Sequence, residues 1–315
     1  MYLYILKRVL STIPVVVIVV LFVFLMLRLA PGDPAAVIAG DYATAEDVER
    51  IREQLGLNDA IPVQMYRWVT QLGSGDLGTA IFSKLPVTTL IGQRLEPTLL
   101  LSLTTIVFTV LIAVPLGTLA AYIAGSWIDR FVMLFSVAGF SVPVFVLGYI
   151  LIYVLAMHLQ ILPVQGYKSP FEHGFWIFLR HMVLPTMTLS VIYIALIARM
   201  TRASVQEILQ EDYVRTARAK GQSEFKILMR HALRNAAVPI VTVIGLGIAL
   251  MIGGVVVTES VYNIPGLGRL VLDAVLARDY PVIQGLILFF SFVYILINLL
   301  IDLSYTFFDP RIRYS

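Results

Sequence analysis

The chain has 315 residues, of which 59% are hydrophobic and only 14% are charged, and it carries a formal net charge of +3. Soluble globular domains hold about 25% charged residues, so this composition excludes an ordinary water-soluble domain and indicates an integral membrane protein. The absence of cysteine excludes disulfides, zinc thiolates, iron–sulfur clusters and thiol nucleophiles, and the four histidines show no metal-ligand spacing. The small net charge suggests no nucleic-acid partner.

Charge-free runs predict an all-α polytopic membrane protein with six transmembrane helices. A span of about 20 residues crosses the hydrocarbon core of a bilayer. The runs are residues 9–27, 97–128, 131–167, 182–198, 235–258 and 280–301. The first run is longer than a signal-peptide core of about 7–15 residues, so we expect a retained span. The third run is longer than one span needs, and Pro163 and Gly166 favour a loop near its end.

The distribution of basic residues predicts the orientation of these spans. If the N-terminus is cytoplasmic, the inner segments contain thirteen of the 23 Lys and Arg residues in fewer positions than the outer segments occupy. Because cytoplasmic loops carry an excess of basic residues, both termini are predicted to lie inside.

Residues 31–96 form the first outer segment, for which two short helices are predicted. Thr44 and Asp47 stand at the spacing of a capping box, and Gly56 suits the end of the helix that follows. Pro62 suits the start of a second helix and Gly73 its end. The segment could be a folded linker or a surface on which a partner docks.

Residues 199–234 form the largest predicted cytoplasmic loop, with eight basic and four acidic residues. A continuous helix is predicted over residues 207–220, with Tyr213, Val214 and Ala217 as an apolar stripe that could enter a cleft on a soluble partner. Gly221 would end this helix, and Ser223 would cap a second helix over residues 224–234. On charge alone, a solvated loop is equally compatible with this segment.

This loop resembles the coupling loop of ATP-binding-cassette importer permeases, in the dipeptide/oligopeptide branch. The resemblance rests on Glu211-Asp212-Tyr213-Val214-Arg215-Thr216-Ala217-Arg218-Ala219-Lys220-Gly221 and on Arg230-His231-Ala232-Leu233-Arg234-Asn235. Ala217, Gly221 and Leu233 match the general motif of such importers. Arg215 and Thr216 replace its Glu-Ala, and His231 and Arg234 replace its Ile and Pro. Further similar segments, spread from one end of the chain to the other, are residues 4–8, 29–34, 75–78, 265–270, 278–281 and 309–314.

The resemblance implies a type I importer permease of the bacterial inner membrane. It implies an N-terminal transmembrane helix at residues 1–30, a permease core at residues 97–307 and a cytoplasmic tail at residues 308–315. A second homologous permease subunit, two ATPase subunits and an extracytoplasmic solute-binding protein would be partners, with membrane lipid around the spans. The binding protein would face residues 31–96. The residues that would couple to the ATPase are Asp212, Tyr213, Val214, Arg215, Ala217 and Gly221.

No nucleotide-binding motif accompanies these features. The chain contains no Gly-Lys dipeptide and therefore no Walker A loop. We therefore expect no cofactor in this chain and no enzymatic activity of its own, with ATP and Mg²⁺ bound by partner subunits.

Four residues are candidates for the translocation path. Glu259 ends the fifth charge-free run and, with Asn263, could line a gate for the amino terminus of a peptide. An ordinary interfacial carboxylate is the alternative for Glu259. Ser141 and Pro143 interrupt the third run, where either a pathway or close helix packing would explain them.

The sequence is compatible with other functions. Permeases for glutathione or for nickel chelates belong to the same family. An ion-coupled secondary transporter would need acidic or histidine relays within its spans, and the predicted spans lack central carboxylates. An intramembrane serine protease would need an activated serine with a histidine partner, and Ser141 lacks the glycine that would complete its motif.

Overall fold

The computed structural model describes residues 2–29, 33–39, 43–54 and 56–308, and within these its regular elements are all helices, without a strand. The helices before the central part of the chain are α1 (Tyr2–Leu29), α2 (Pro34–Ala39), α3 (Ala45–Gln54), α4 (Ile61–Gly73), α5 (Val87–Tyr122), α6 (Trp127–Ser141), α7 (Val144–Leu151, continued by a π-helix over Ile152–His158) and α8 (Pro170–His173). The later helices are α9 (Phe175–Leu209), α10 (Asp212–Ala219), α11 (Glu224–Lys226, continued by a π-helix over Ile227–Leu233), α12 (Ala237–Val261), α13 (Leu267–Ala277) and α14 (Tyr280–Phe308). The predicted tail, residues 308–315, lies outside the described residues except for its first position.

Among the described residues, five helices are long and apolar enough to cross a membrane, and a bent pair can form a sixth span. The five lie in α1, α5, α9, α12 and α14. Long apolar side chains on these helices are exposed, including Ile18, Leu111 and Leu300. Such surfaces are stable against lipid or another apolar helix rather than against water. The predicted all-α polytopic fold is therefore confirmed.

The third predicted span is a bent pair rather than one straight helix. The axes of α6 and of α7 with its π-helix differ by 104° at a break around Val142 and Pro143. Proline lacks the N–H that would continue the helical hydrogen-bond ladder, so the chain can turn at this position. Pro163 and Gly166 lie outside helices, as predicted.

Several helices extend beyond the charge-free runs that predicted them. The fourth run covered residues 182–198, whereas α9 continues at both ends past charged residues such as Arg180 and Arg202. The second run began at residue 97, whereas α5 begins at Val87. Absence of charge marks the part of a helix that fits a hydrocarbon layer, and it does not mark where the helix ends.

The structure divides into two compact units. The first contains residues 97–268 together with α14 from residue 296 onward, and the second contains residues 2–96 and 269–295.

In the first unit, α9 is the central helix. It packs against α6, α7 and α12, and its buried side chains include Met182, Leu184 and Leu189. Gly139 of α6 lies close to Val191 and Ala195 of α9, so the absence of a side chain at residue 139 permits close packing of these two helices.

In the second unit, the predicted helices of the outer segment are present. Thr44 and Asp47 form the expected reciprocal bonds, in which the Asp47 N–H donates to Thr44 Oγ1 and the Thr44 N–H donates to Asp47, each at 3.2 Å. Gly56 follows α3 with a φ of +62°, and α4 ends at Gly73. The short helix α2 and the first ten residues of α5 were not predicted there.

The loop after α4 is held to the start of α14 within the same unit. Asp279 accepts a hydrogen bond from the backbone N–H of Ile81 at 3.0 Å, and Gln284 donates to the carbonyl oxygen of Val23 at 3.0 Å. Both polar side chains are buried, so the bonds of Asp279 Oδ2 and of the Gln284 amide satisfy atoms that would otherwise be costly to remove from water.

Candidate functional site

The predicted coupling helix is a separate element and not the end of a longer helix. Helix α9 stops at Leu209, and Glu211 has an extended backbone (φ −67°, ψ 145°) before α10 begins at Asp212. The prediction of one continuous helix over residues 207–220 was therefore wrong. If the helix were continuous, Val214 and Ala217 could not pack on the last turn of α9. The break allows these two side chains to be buried there, and this burial stabilises the broken arrangement.

The apolar residues of α10 face their own chain. Val214 and Ala217 are buried with Ile227, and Ile208 and Leu209 pack against this cluster. The predicted apolar tip, free to enter a cleft on a partner, is therefore wrong for these two side chains. They attach α10 to the end of α9 and to the π-helix that follows α11.

Tyr213 lies apart from this cluster. Its side chain is exposed, and its hydroxyl accepts a hydrogen bond from Asn235 Nδ2 at 2.7 Å. The predicted stripe of Tyr213, Val214 and Ala217 is thus two buried residues and one exposed residue. The exposed side of α10 consists mainly of polar groups, among them Asp212, Arg215 and Thr216.

Gly221 ends α10 as the sequence predicts. The N–H of Gly221 donates to the carbonyl of Arg218 at 2.9 Å, and the N–H of Gln222 donates to the carbonyl of Ala217 at 3.3 Å. This is the pattern of a Schellman cap, which places the residue after the helix in the left-handed region. Gly221 has a φ of +73°, where a residue without Cβ meets no steric penalty.

Polar contacts hold the returning segment against α10. The guanidinium of Arg218 donates to both carboxylate oxygens of Glu224, at 2.9 Å and 3.3 Å, and His231 contacts Gln222 at 2.9 Å. The bond to Glu224 raises the pKa of Arg218 above its ordinary value. Ser223 occupies the predicted N-cap position, but its side chain makes no capping bond, and most of the predicted helix is the π-helix after α11.

The structure adds two exposed apolar residues that sequence reasoning did not single out. Phe225 is 75% exposed and Met229 is 49% exposed. Exposed basic residues accompany them, namely Arg215, Lys220, Lys226, Arg230 and Arg234. The signal in the sequence was Phe225, the second aromatic residue besides Tyr213 in a strongly charged loop. An exposed aromatic among basic groups is suited to a protein partner with an apolar pocket and acidic surroundings.

The candidate path residues lie on different elements. Ser141 and Pro143 lie at the break between α6 and α7, where both are exposed and Ser141 donates to the Val137 carbonyl at 3.0 Å. Asn263 is exposed just after α12, with a φ of +52°.

Glu259, near the end of α12, is fully buried. The Glu259 carboxylate accepts a hydrogen bond from the Thr98 hydroxyl at 2.6 Å. Thr98 Oγ1 in turn accepts a hydrogen bond from the backbone N–H of Leu267 at 2.7 Å. Neither a path-lining carboxylate nor an ordinary interfacial one describes this arrangement. The contacts indicate that Glu259 fixes the turn between α12 and α13. Within the described residues, His, Asp and Glu side chains form no group suited to hold a metal ion.

Comparisons with known proteins place this chain among membrane transport components. The family model described as the inner membrane component of binding-protein-dependent transport systems matches residues 113–314, and the model of the N-terminal part of such components matches residues 1–83. The chain belongs to this family. It is a transport subunit, and it is a multi-pass protein of the inner membrane.

The chain is also similar over its whole length to individual members of the family. It is 56% identical over 311 residues to a probable peptide ABC transporter permease protein of Sinorhizobium fredii, with 99% of each chain covered. It is 44% identical over 312 residues to a glutathione transport system permease protein of Salmonella paratyphi A, again with 99% of each covered. A putative peptide transport system permease protein of Brucella abortus is 44% identical over 311 residues, with 99% of each covered.

Proposed function

We propose that this chain is one of two homologous permease subunits of an ATP-driven importer of dipeptides or oligopeptides. Two ATPase subunits would bind ATP and Mg²⁺, and an extracytoplasmic solute-binding protein would deliver the peptide. The 56% identity to a probable peptide permease over nearly the whole chain supports peptide as the cargo. Residues 31–96 would face the binding protein, and both termini would lie in the cytoplasm.

The attachment of α10 is the observation that carries this proposal. Its buried side chains pack on α9 and on the π-helix after α11, while Asp212, Arg215 and Phe225 are exposed around it. A short helix held this way can transmit a push from a bound protein to α9. A loosely attached loop would absorb the same displacement.

In the proposed mechanism, the ATPases close on ATP and move α10, and the spans reopen outward to receive the next peptide. Shifting a two-state equilibrium from 1:99 to 99:1 requires about 5.5 kcal/mol of differential binding. Hydrogen bonds such as the one from Asn235 to Tyr213, together with the buried cluster of Val214, keep α10 fixed while this free energy is transmitted.

For the translocation path we propose Ser141, Pro143 and Asn263 as lining residues, because all three are exposed where helices break or end. Glu259 would act indirectly, because its contact with Thr98 fixes the turn that carries Asn263. The bend at Pro143 offers a point at which α6 and α7 can change their relative angle.

The experiment is a Val214→Asp substitution in the complex of both permeases and both ATPases, reconstituted in proteoliposomes with the binding protein. An aspartate at this fully buried position cannot stay in the apolar cluster without its charge being desolvated, so α10 should detach from α9. We expect peptide-stimulated ATP hydrolysis to fall at least tenfold. Val214→Ala keeps the site apolar and should retain most of the stimulation, and full stimulation with Val214→Asp would contradict the proposal.

Glutathione is the second candidate cargo, because the similarity to a glutathione transport system permease covers the same residues at 44% identity. Uptake of a labelled dipeptide in competition with unlabelled glutathione decides between the two. Peptide as cargo predicts that excess glutathione leaves the uptake unchanged.

A further inference from the structure

A partly buried ion pair joins α6 and α9 near the start of α6. Arg202 of α9 donates through Nε to Asp129 Oδ1 and through Nη2 to Asp129 Oδ2, the latter at 2.8 Å. The side chain of Asp129 is 5% exposed and that of Arg202 is 22% exposed. A two-bond arrangement between a guanidinium and a carboxylate fixes orientation as well as distance.

Asp129 also closes the turn between α5 and α6. The N–H of Gly125 donates to Asp129 Oδ2 at 2.8 Å, and the N–H of Asp129 donates to the N-cap hydroxyl of Ser126 at 3.3 Å. One carboxylate therefore binds both the turn that starts α6 and the side chain of Arg202 on α9.

Neighbouring contacts make this junction tight. Gly117 of α5 lies so close to α9 that an added Cβ would come within 2.5 Å of the Ala198 carbonyl oxygen and 2.7 Å of Thr201 Cβ. Thr201 directly precedes Arg202. Farther along α6, Gly139 packs against Ala195 of α9, so α6 and α9 are in contact here as well as at the ion pair.

The same end of α9 carries α10. Arg202 lies seven positions before Leu209, about two helical turns, and Leu209 packs against the cluster of Val214 and Ala217. A displacement of α10 can therefore reach Arg202 through a short, continuous stretch of α9, whose Val205 also packs with Ala121 of α5 and Ile240 of α12.

We propose that Asp129 and Arg202 are positioning residues that transmit the movement of α10 from α9 to α6. The pair makes α6 follow α9, so that a push on α10 reaches the break at Pro143 and not α9 alone. This inference rests on the proposed function, because the proposed function is what makes α10 the element that an ATPase moves. Asp129 and Arg202 are 73 positions apart in the sequence. Their bond would carry the movement from α9 to α6, which the coupling loop cannot do by itself.

The test measures peptide imported per ATP hydrolysed, in the reconstituted complex described above. Asp129→Asn keeps the shape of the side chain and removes its charge, and Arg202→Lys keeps the charge and removes the planar two-bond geometry. We expect each to lower peptide imported per ATP at least fivefold while ATP hydrolysis without peptide is retained. Asp273→Asn removes an exposed acidic partner of Arg269, 4.0 Å away on α13, and should leave the ratio unchanged.

A purely structural role predicts a different result. Breaking a partly buried pair lowers stability, so the amount of assembled complex would fall, but each assembled complex would still import the normal number of peptides per ATP. An unchanged ratio in Asp129→Asn would overturn the proposal. If Asp129→Asn does not assemble, an unchanged ratio in Arg202→Lys would overturn it equally.

A double exchange, Asp129→Arg with Arg202→Asp, adds a rescue criterion. Partial recovery of the ratio, relative to either single change, is expected if the pair itself transmits the movement. Val214→Asp in the same assay separates the two proposals. If the ratio and the stimulation are normal in Val214→Asp, the role of α10 fails; if only the ion-pair variants are normal, the present inference alone fails.

Discussion

At the scale of single residues, Gly221 sets the end of α10 through its backbone alone. Its φ of +73° lies in the left-handed region, and an added Cβ would meet no atom within 4 Å. Substitution at this position therefore adds backbone strain without creating a clash. Any effect of a substitution on coupling then reports the strain of the backbone and not a change in packing.

We expect Gly221→Val to reduce peptide-stimulated ATP hydrolysis. A β-branched residue resists the left-handed conformation, at a cost of about 1–2 kcal/mol, so the Schellman cap should open and α10 should lose its fixed end. Gly221→Asn is the matched variant, because asparagine tolerates this conformation, and it should retain most of the stimulation. Equal stimulation in the two variants would show that the cap does not matter for coupling.

Gly266 has the opposite environment, since it lies directly against the buried carboxylate of Glu259. We expect Gly266→Ala to lower the thermal unfolding temperature of the purified complex, because the added methyl group must displace Glu259 from its bond with Thr98. Gly253→Ala in α12 is the control. No atom lies within 4 Å of its Cβ position, so alanine should leave that temperature unchanged or raise it. A Gly266→Ala complex as stable as the native one would contradict the role of Glu259 in fixing the turn.

At the scale of elements, α3 depends on local chemistry. Bonding by the Thr44 hydroxyl and then by the Thr44 backbone N–H holds the pKa of Asp47 below its ordinary value. A carboxyl whose pKa is lowered on folding stabilises the helix above its unfolded pKa of about 3.9, and this contribution is lost as the pH falls through the lower folded pKa.

We therefore expect the protection of the α3 amides against hydrogen exchange, corrected for intrinsic rates, to decline as the pH falls below about 4. The capping contribution should be constant at neutral pH. In Asp47→Asn the side chain at this position cannot titrate. The protection of the α3 amides in this variant should therefore fall less steeply as the pH is lowered. An identical decline in both proteins would show that other groups cause it.

Local signals made some elements predictable from the sequence. The start of α3 follows from Thr44 and Asp47, the end of α3 from Gly56, and the C-terminal end of α10 from Gly221. Caps of this kind depend on residues a few positions apart. The apolar runs likewise indicated the membrane helices, since the requirement for a span of suitable length is written in consecutive residues.

Other features depend on residues that are distant in sequence. The break at Glu211 follows from the packing of Val214 against Ile227, and the loop pattern alone predicted a continuous helix. The burial of Glu259 depends on Thr98, 161 positions away, and the contact of Asp129 with Arg202 spans 73 positions. A single sequence gives no measure of such proximity. The coupling role of α10 and the path role of Ser141 stay predictions.

At the scale of the whole molecule, family membership and the arrangement of helices describe a subunit that needs partners. Long apolar faces on α1, α5 and α14 are suited to lipid or to a second permease. The charged segment around α10 is suited to a soluble protein.

The most direct test is uptake of a labelled peptide into proteoliposomes under four conditions. These are the complete set of two permeases, two ATPases and binding protein with ATP; the same set without ATP; the set lacking this chain; and this chain alone under proton or sodium gradients. We expect ATP-dependent accumulation with the complete set and none under the other three conditions. Gradient-driven uptake by this chain alone would contradict it and would identify a secondary transporter.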